Sequence, residues 1–212
     1  MRPRPNWVET TLDAVAEIFD GPHATPVKTE EGPWYLSISS LRQGEVDLAY
    51  SAYLSEQDLI RWTRRVTPQR GDTLFSYETR LGEAGFWEGD AAAALGRRMG
   101  LLRPRTDRLL PQFLTHLYLA PAFQALIEDR AVRGSTVDRI PIALIGGWPI
   151  SVPDVDEQGG ILETLTTMDK VVRSLREELT SLRKMRIVLL GDLLNGQVAI
   201  PDSYQSLLAE AL

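Results

Sequence analysis

The sequence of 212 residues contains no cysteine, and this absence closes several routes at once. Disulfides, thiolate-bound zinc and thiol nucleophiles all need a sulfur that the chain lacks. Histidine is nearly as scarce: His23 and His116 stand far apart, so a His-built metal centre or catalytic triad is not expected. No run reaches the roughly eighteen apolar residues that a membrane-spanning helix needs. The opening Met1-Arg2-Pro3-Arg4-Pro5 leads into an amphipathic segment, not an apolar signal core. A cytoplasmic protein is therefore expected. Phosphate-cradling glycine loops and nucleophile elbows are also missing. The chain reads as non-enzymatic, with no catalytic residue, metal or cofactor.

What is present is enough apolar content (43%) for a real core in one or two domains. The net charge of −6 is unevenly spread. Residues 1–60 carry four basic side chains, among them Arg42, against ten acids; residues 61–108 carry ten arginines against six acids. An acidic balance argues against non-specific nucleic-acid binding, which phosphate contacts drive. A local arginine cluster keeps a specific contact open. On charge alone, these arginines read equally as a solvated face.

The strongest pattern lies in residues 161–189. Ile161, Leu165, Met168, Val172, Leu175, Leu179, Leu182 and Leu189 follow a four-three apolar beat, interrupted at Arg186. A 3.5-residue repeat keeps one stripe facing a partner helix, whereas packing on a globular core needs a broader stripe of period 3.6. Arg173, Arg176, Glu177, Glu178, Arg183 and Lys184 occupy the other faces. The chain offers one such helix, so its partner is expected in another subunit. Arg186 either sets register or faces solvent near the end of the coil.

Around this helix the organisation is α+β. Strands are expected at 34–38, at 72–77 after the Arg70-Gly71 turn, and at 99–104, closed by Pro104. Helices are expected at 55–65 and 110–128, the latter broken at Pro121. Residues 149–153 are too proline-rich for a helix or central strand and read as an extended lead-in. Asp154, with Asp156 and Glu157 behind it, marks a helix start. The helix is expected to run to Leu190 and stop at Gly191 in a left-handed cap. This divides the chain into a mixed domain at 1–150 and a helical spacer with a short tail at 151–212.

The order of these pieces resembles half of a type I restriction–modification specificity subunit. Trp7-Val8 through Phe19-Asp20-Gly21-Pro22-His23-Ala24-Thr25-Pro26 is similar to the opening of a target recognition domain. Gly71-Asp72-Thr73-Leu74-Phe75-Ser76 resembles the family's GD-x-L-x-S strand, and Ala131 to Val137 its G-S/T loop. Residues 149–158, ending in Glu157-Gln158, resemble the proline-rich lead-in. Ile161 to Leu165 with Met168-Asp169-Lys170 resemble the start of the spacer helix, and residues 189–198 its end. The resemblance implies a target recognition domain that reads half of a split site in double-stranded DNA, followed by a helix that packs antiparallel against a second one. It further implies a non-catalytic role in directing adenine methyltransferase subunits and, through them, a restriction and translocase subunit. With one domain and one coil, pairing would make either a homodimer reading a palindromic site or a heterodimer of half-subunits reading an asymmetric one.

Candidate DNA-binding residues follow. His23 and Thr25 lie in a rigid Gly/Pro turn. Tyr77, Thr79 and Arg80 follow a strand, where an arginine can enter a groove and bind guanine bidentately. Arg61, Arg64 and Arg65 cluster round Trp62 and, like Arg97 and Arg98, suit the phosphate backbone, where contacts orient without reading sequence; Arg42 joins the DNA-binding set. Arg133, Ser135 and Thr136 occupy the Gly134 loop. Trp34, Trp87 and Trp148 read as core or interface aromatics, and Glu88 and Asp90 as turn acids. Two other readings share these residues: an orphan recognition protein that directs no modification, and a coiled-coil scaffold whose head binds protein.

Overall fold

The computed structural model describes residues 6–134 and 137–198. In chain order these form β1 (Val8–Thr11), α1 (Leu12–Val15), β2 (Ala16–Asp20), β3 (Thr29–Leu36), β4 (Leu41–Arg42), β5 (Gly44–Val46), β6 (Ala52–Tyr53), α2 (Glu56–Trp62), β7 (Thr73–Ser76) and β8 (Ala84–Phe86). β9 (Ala93–Leu95), β10 (Met99–Pro104), α3 (Pro111–Leu119), α4 (Pro121–Arg130), α5 (Ile142–Ile145), β11 (Pro149–Val152) and α6 (Val155–Leu194) complete the chain. The architecture is α+β, as the sequence indicates. Two compact units result, one ending at Leu162 and one beginning at Glu163, so the first two turns of α6 belong to the globular unit.

The centre of that unit is a six-stranded sheet in the order β2-β10-β7-β8-β5-β4. Side chains alternate across a strand, and here both faces are covered. Phe75 and Leu102 enter a core shared with Phe113, Leu114 and Tyr118 of α3. Their neighbours Leu74, Met99 and Leu101 enter a second core with Leu36 and Leu95. The latter two come from the three-stranded sheet β6-β3-β9. On its other side, Tyr35 and Ala94 pack with Leu54 and with Trp62 of α2. The layers are helix, sheet, sheet and helix. β11 pairs with β1 alone, the edge position that proline tolerates.

Local chemistry explains where the elements stop. Ala120 is extended (ψ 145°) because Pro121 excludes helical backbone before it, so α3 and α4 are separate helices, each with proline in its first turn. β3 ends before the expected 38 because the serines of 37–40 bond locally: Ser40 Oγ donates to the Ser37 carbonyl and Ser37 Oγ to that of Tyr50. α2 is shorter than expected. Ser55 caps its start by accepting the Asp58 N–H, but the chain leaves the helix after Trp62 and buries Val66, so Arg64 and Arg65 lie beyond it.

Strand β10 is pinned at its far end by a charge pair between buried Asp72 and half-buried Arg103. Asp72 is 1% exposed and holds the Arg103 guanidinium from both oxygens, each bond 2.8 Å. The GD-x-L-x-S segment is thus structural: Gly71 takes φ +99°, Asp72 grips Arg103, and Leu74 and Ser76 are buried.

Asp154 caps α6, its carboxylate accepting the Glu157 N–H at 2.8 Å. The other end corrects an expectation. Gly191 is helical, and the left-handed residue is Gly196 (φ +69°). The N–H of Gln197 reaches the Asp192 carbonyl and that of Gly196 the Leu193 carbonyl, which is a Schellman closure. A glycine permits left-handed backbone without imposing it, and Asn195-Gly196 supplies the stop. The expected seam residues Met168, Val172, Leu175, Leu179, Leu182 and Leu189 are 43–60% exposed. Ile161 differs, packing against the first core beside buried Leu162. Among the described residues no helix is long and apolar enough to cross a membrane.

Gln158 is the fully buried polar group that fastens the first turn of α6. Its Nε2 donates to the carbonyls of Arg108 and Pro153 at 2.9 Å, and its Oε1 accepts the Leu110 N–H at 2.8 Å. Gln158→Leu strands all three backbone groups and is expected to cost about 3 kcal/mol in chemical denaturation. A loss within the error of the wild-type curve would show that these groups find other partners.

Candidate nucleic-acid interface

Strand register gathers the candidate residues. Met99, the first residue of β10, pairs with Ser76, the last of β7, and Gly100 pairs with Asp20, the last of β2. β8 begins opposite Phe75, and β5 begins beside β8, with Gly44 opposite Gly85. The turns 20–25, 96–98, 77–83 and 42–45 therefore all leave the sheet at one end. The bridged residues Val132 and Arg139 join them, because Arg139 also bridges Glu78. Strands lie about 4.8 Å apart, so the row from β2 to β4 is about 24 Å long.

Three non-glycine residues among those described have left-handed backbone: Gln43 (φ 50°), Thr79 (φ 69°) and Arg98 (φ 68°). All three lie in these turns. Such backbone is disfavoured for side chains with a β-carbon, most of all for a β-branched one, and such strain gathers where function demands geometry. The turns are also wedged shut. A β-carbon on Gly96 would sit 2.1 Å from the Leu36 carbonyl oxygen, and one on Gly21 would sit 2.4 Å from that of Met99.

The arginines divide into two groups. Arg42, Arg61, Arg64 and Arg97 are exposed and have no carboxylate partner among the described residues; Arg42 lies over the Tyr50 ring at 3.9 Å and Arg61 over Trp62 at 4.9 Å. The others are held. Arg65 bonds Asp20 at 3.3 Å and the Gly21 carbonyl at 3.2 Å. Arg80 bonds Glu83 at 2.6 Å and the Ile38 carbonyl at 3.1 Å. Arg98 pairs with Glu78 at 2.8 Å. Arg133 pairs with Asp138 at 2.6 Å and Glu128 at 3.3 Å, and its guanidinium holds the Asp138 carboxyl below the usual carboxylate range.

His23 is exposed and shares the Asp20 carboxylate through Nε2 at 2.9 Å; Thr25 is exposed on the same loop. Pro22, His23, Ala24, Arg61, Trp62, Arg64 and Arg65 line an open cavity of about 380 Å³. Thr79 is exposed at its turn. Tyr77 is different: it is 5% exposed in the first core, and burial with the neighbouring Asp20 carboxylate pushes its phenol pKa upward. Its ring supports the turn and does not present a side chain outward. Ser135 and Thr136 lie outside the described residues. Trp87 and Trp148 are core residues, whereas Trp34 is half-buried against Tyr53. Asp90 pairs with Arg70 through two bonds.

The sequence reading missed the acids that hold these arginines and the Gln43-Gly44 turn. The turn had a local signal, since a residue followed by glycine between paired strands marks a tight hairpin with left-handed backbone at both positions. The acids had none. Glu78 and Glu83 became partners only through chain folding.

No protein-family profile and no curated protein matches the chain. Solved structures do. A chain from a type I R-M system, solved for its complex assembly and conformational transition, is similar with TM-score 0.61 and 21% identity, over 91% of this chain and 46% of that one. The type I restriction–modification S subunit from M. genitalium is similar with TM-score 0.63 and 19% identity, over 91% and 48%. The HsdS subunit from Thermoanaerobacter tengcongensis is similar with TM-score 0.60 and 16% identity, over 95% and 53%. The fold is that of type I specificity subunits, and the chain spans about half the length of these three.

Releasing the strain at an exposed turn residue should stabilise the protein. Thr79→Gly is expected to raise the unfolding free energy by up to about 1 kcal/mol, read from the denaturant midpoint. A fall would mean that the threonine side chain makes a contact that outweighs its backbone strain.

Proposed function

We propose that this chain is a non-catalytic DNA recognition subunit of a type I-like restriction–modification system. The observation that carries the reading is the row of arginine-bearing turns at one end of a specificity-subunit fold. A row of about 24 Å is twice the width of a major groove, which is about 12 Å. The central turns, with Thr79, Arg80 and Arg98, enter the groove. The unpaired arginines Arg42, Arg61 and Arg64 lie over phosphates on either side and Arg97 over a phosphate beside the central turns, with His23, Thr25, Arg65 and Arg133 completing the contact. Phosphate contacts fix the register and base edges supply the sequence.

In this reading residues 1–150 are the target recognition domain and 151–212 the spacer. The exposed apolar stripe from Met168 to Leu189 supports pairing with a second helix, since six such side chains in one seam are costly to leave in water. Two copies, or one copy and a different half-subunit, then read the two halves of a split site and position adenine methyltransferase and restriction subunits. The protein works in the cytoplasm, needs no cofactor of its own and contacts no membrane.

The test is a single-base methylation map of the source genome with and without the gene. The expected result is loss of adenine methylation at one split motif; a palindromic motif identifies the homodimer. A Leu175→Glu, Leu179→Glu chain, accumulating at the wild-type level, is expected to lose the same methylation. An unchanged map with the methyltransferase expressed would contradict the proposal and favour an orphan or scaffolding role.

A further inference from the structure

Arg97 and Arg98 are neighbours in one turn, yet they stand in opposite electrostatic settings. Arg97 is exposed and has no carboxylate partner among the described residues; its backbone N–H donates to the Tyr35 hydroxyl at 3.1 Å. Arg98 has left-handed backbone, and its side chain is 33% exposed. Its Nε lies 2.8 Å from Glu78 Oε2. The two terminal nitrogens, Nη1 and Nη2, have no partner among the described residues. The guanidinium is therefore fixed at both ends of its side chain: the backbone by a turn that admits only glycine at 96, and the head by Glu78.

Glu78 is itself held. Its carbonyl accepts the Arg80 N–H at 2.8 Å and the Ser76 hydroxyl, and its backbone bridges Arg139. Its carboxylate does two things to Arg98. It holds the guanidinium on its Nε side in an ion pair and leaves the two terminal nitrogens uncontacted among the described residues. It also cancels most of the positive charge, which makes the pair a poor partner for a phosphate, whose attraction is mainly coulombic. What remains is a rigid fork of two N–H donors with little net charge. The matching ligand is a pair of neutral acceptors at fork spacing, and the O6 and N7 atoms of guanine in the major groove form such a pair.

Taking as its premise the DNA-reading role proposed above, we infer that Arg98 is a base-reading residue for guanine and that Glu78 is its positioning residue, while the adjacent Arg97 contacts phosphate. The experiment binds the intact chain to a pool of randomised duplexes and sequences the bound fraction. The wild type is expected to enrich a motif that includes a guanine. Arg98→Asn keeps a residue that tolerates left-handed backbone and removes the fork. It is expected to reduce the preference for that one guanine by about tenfold or more, leaving the other positions intact. Arg98→Lys keeps the charge, loses the fork and is expected to do the same. Glu78→Ala should lower the same preference, and Glu78→Gln, which keeps the side chain's shape and a carbonyl oxygen beside Nε but not the charge, should restore part of it. Arg97→Ala should weaken binding to all sequences alike and reduce the salt slope by about one.

Uniform weakening by Arg98→Asn and Arg98→Lys, with the wild-type motif retained, would overturn the assignment and leave the DNA-reading role standing. An unchanged guanine preference in Glu78→Ala would overturn the positioning role. A wild-type chain that enriches no motif would overturn both this inference and the reading it rests on.

Discussion

The register of β10 between β2 and β7 is the constraint on which the rest depends. It brings Asp20, Ser76 and Met99 to one level, and so aligns three of the turns that make the row. A slip of one residue would send Leu101 and Leu102 to each other's core and displace Arg98 from Glu78. Two devices oppose such a slip. The Asp72–Arg103 pair closes the sheet at the end away from the turns, where breaking either partner would leave a largely buried charge. At the turn end the Gly21 N–H donates to the Met99 carbonyl at 3.0 Å, across a gap too narrow for a β-carbon. Stability is stored at one end of the sheet and strain at the other.

That division has an electrostatic counterpart. In the proposed role, an acidic protein has to limit non-specific attraction to DNA while keeping directed contacts. Here Asp20, Glu78, Glu83 and Asp138 each hold one arginine of the row, so these four arginines add little to long-range attraction. The unpaired arginines supply the remainder. Orientation and charge are thus assigned to different residues of one residue type, and the sequence composition alone gives no hint of the split.

Much of the fold was legible because it rests on local chemistry. The strand at 99–104, the break at Pro121 and the Asp154 helix start depend on residues within a few positions of one another. The stop at Gly191 was misplaced because a glycine allows a cap without requiring it, and Asn195-Gly196 decided the matter four residues later. Within the candidate site, the arginine-rich turns could be singled out from residue type. Their partners could not: Glu78 and Arg98 are twenty positions apart, and only the β7–β10 pairing makes them neighbours. Tyr77 shows the same limit from the other direction. A tyrosine after a strand reads as a contact residue, yet the alternation of β7 and the packing of α3 carry its ring into the core.

The central claim is that one end of the six-stranded sheet faces DNA. Amide hydrogen exchange of the chain, with and without a duplex carrying the motif it enriches from randomised DNA, tests this most directly. Protection is predicted in 20–25, 42–45, 77–83 and 96–98, with no change at 68–71 and 104–108 at the opposite end. Protection of the opposite end, with the four turns unchanged, would contradict the account.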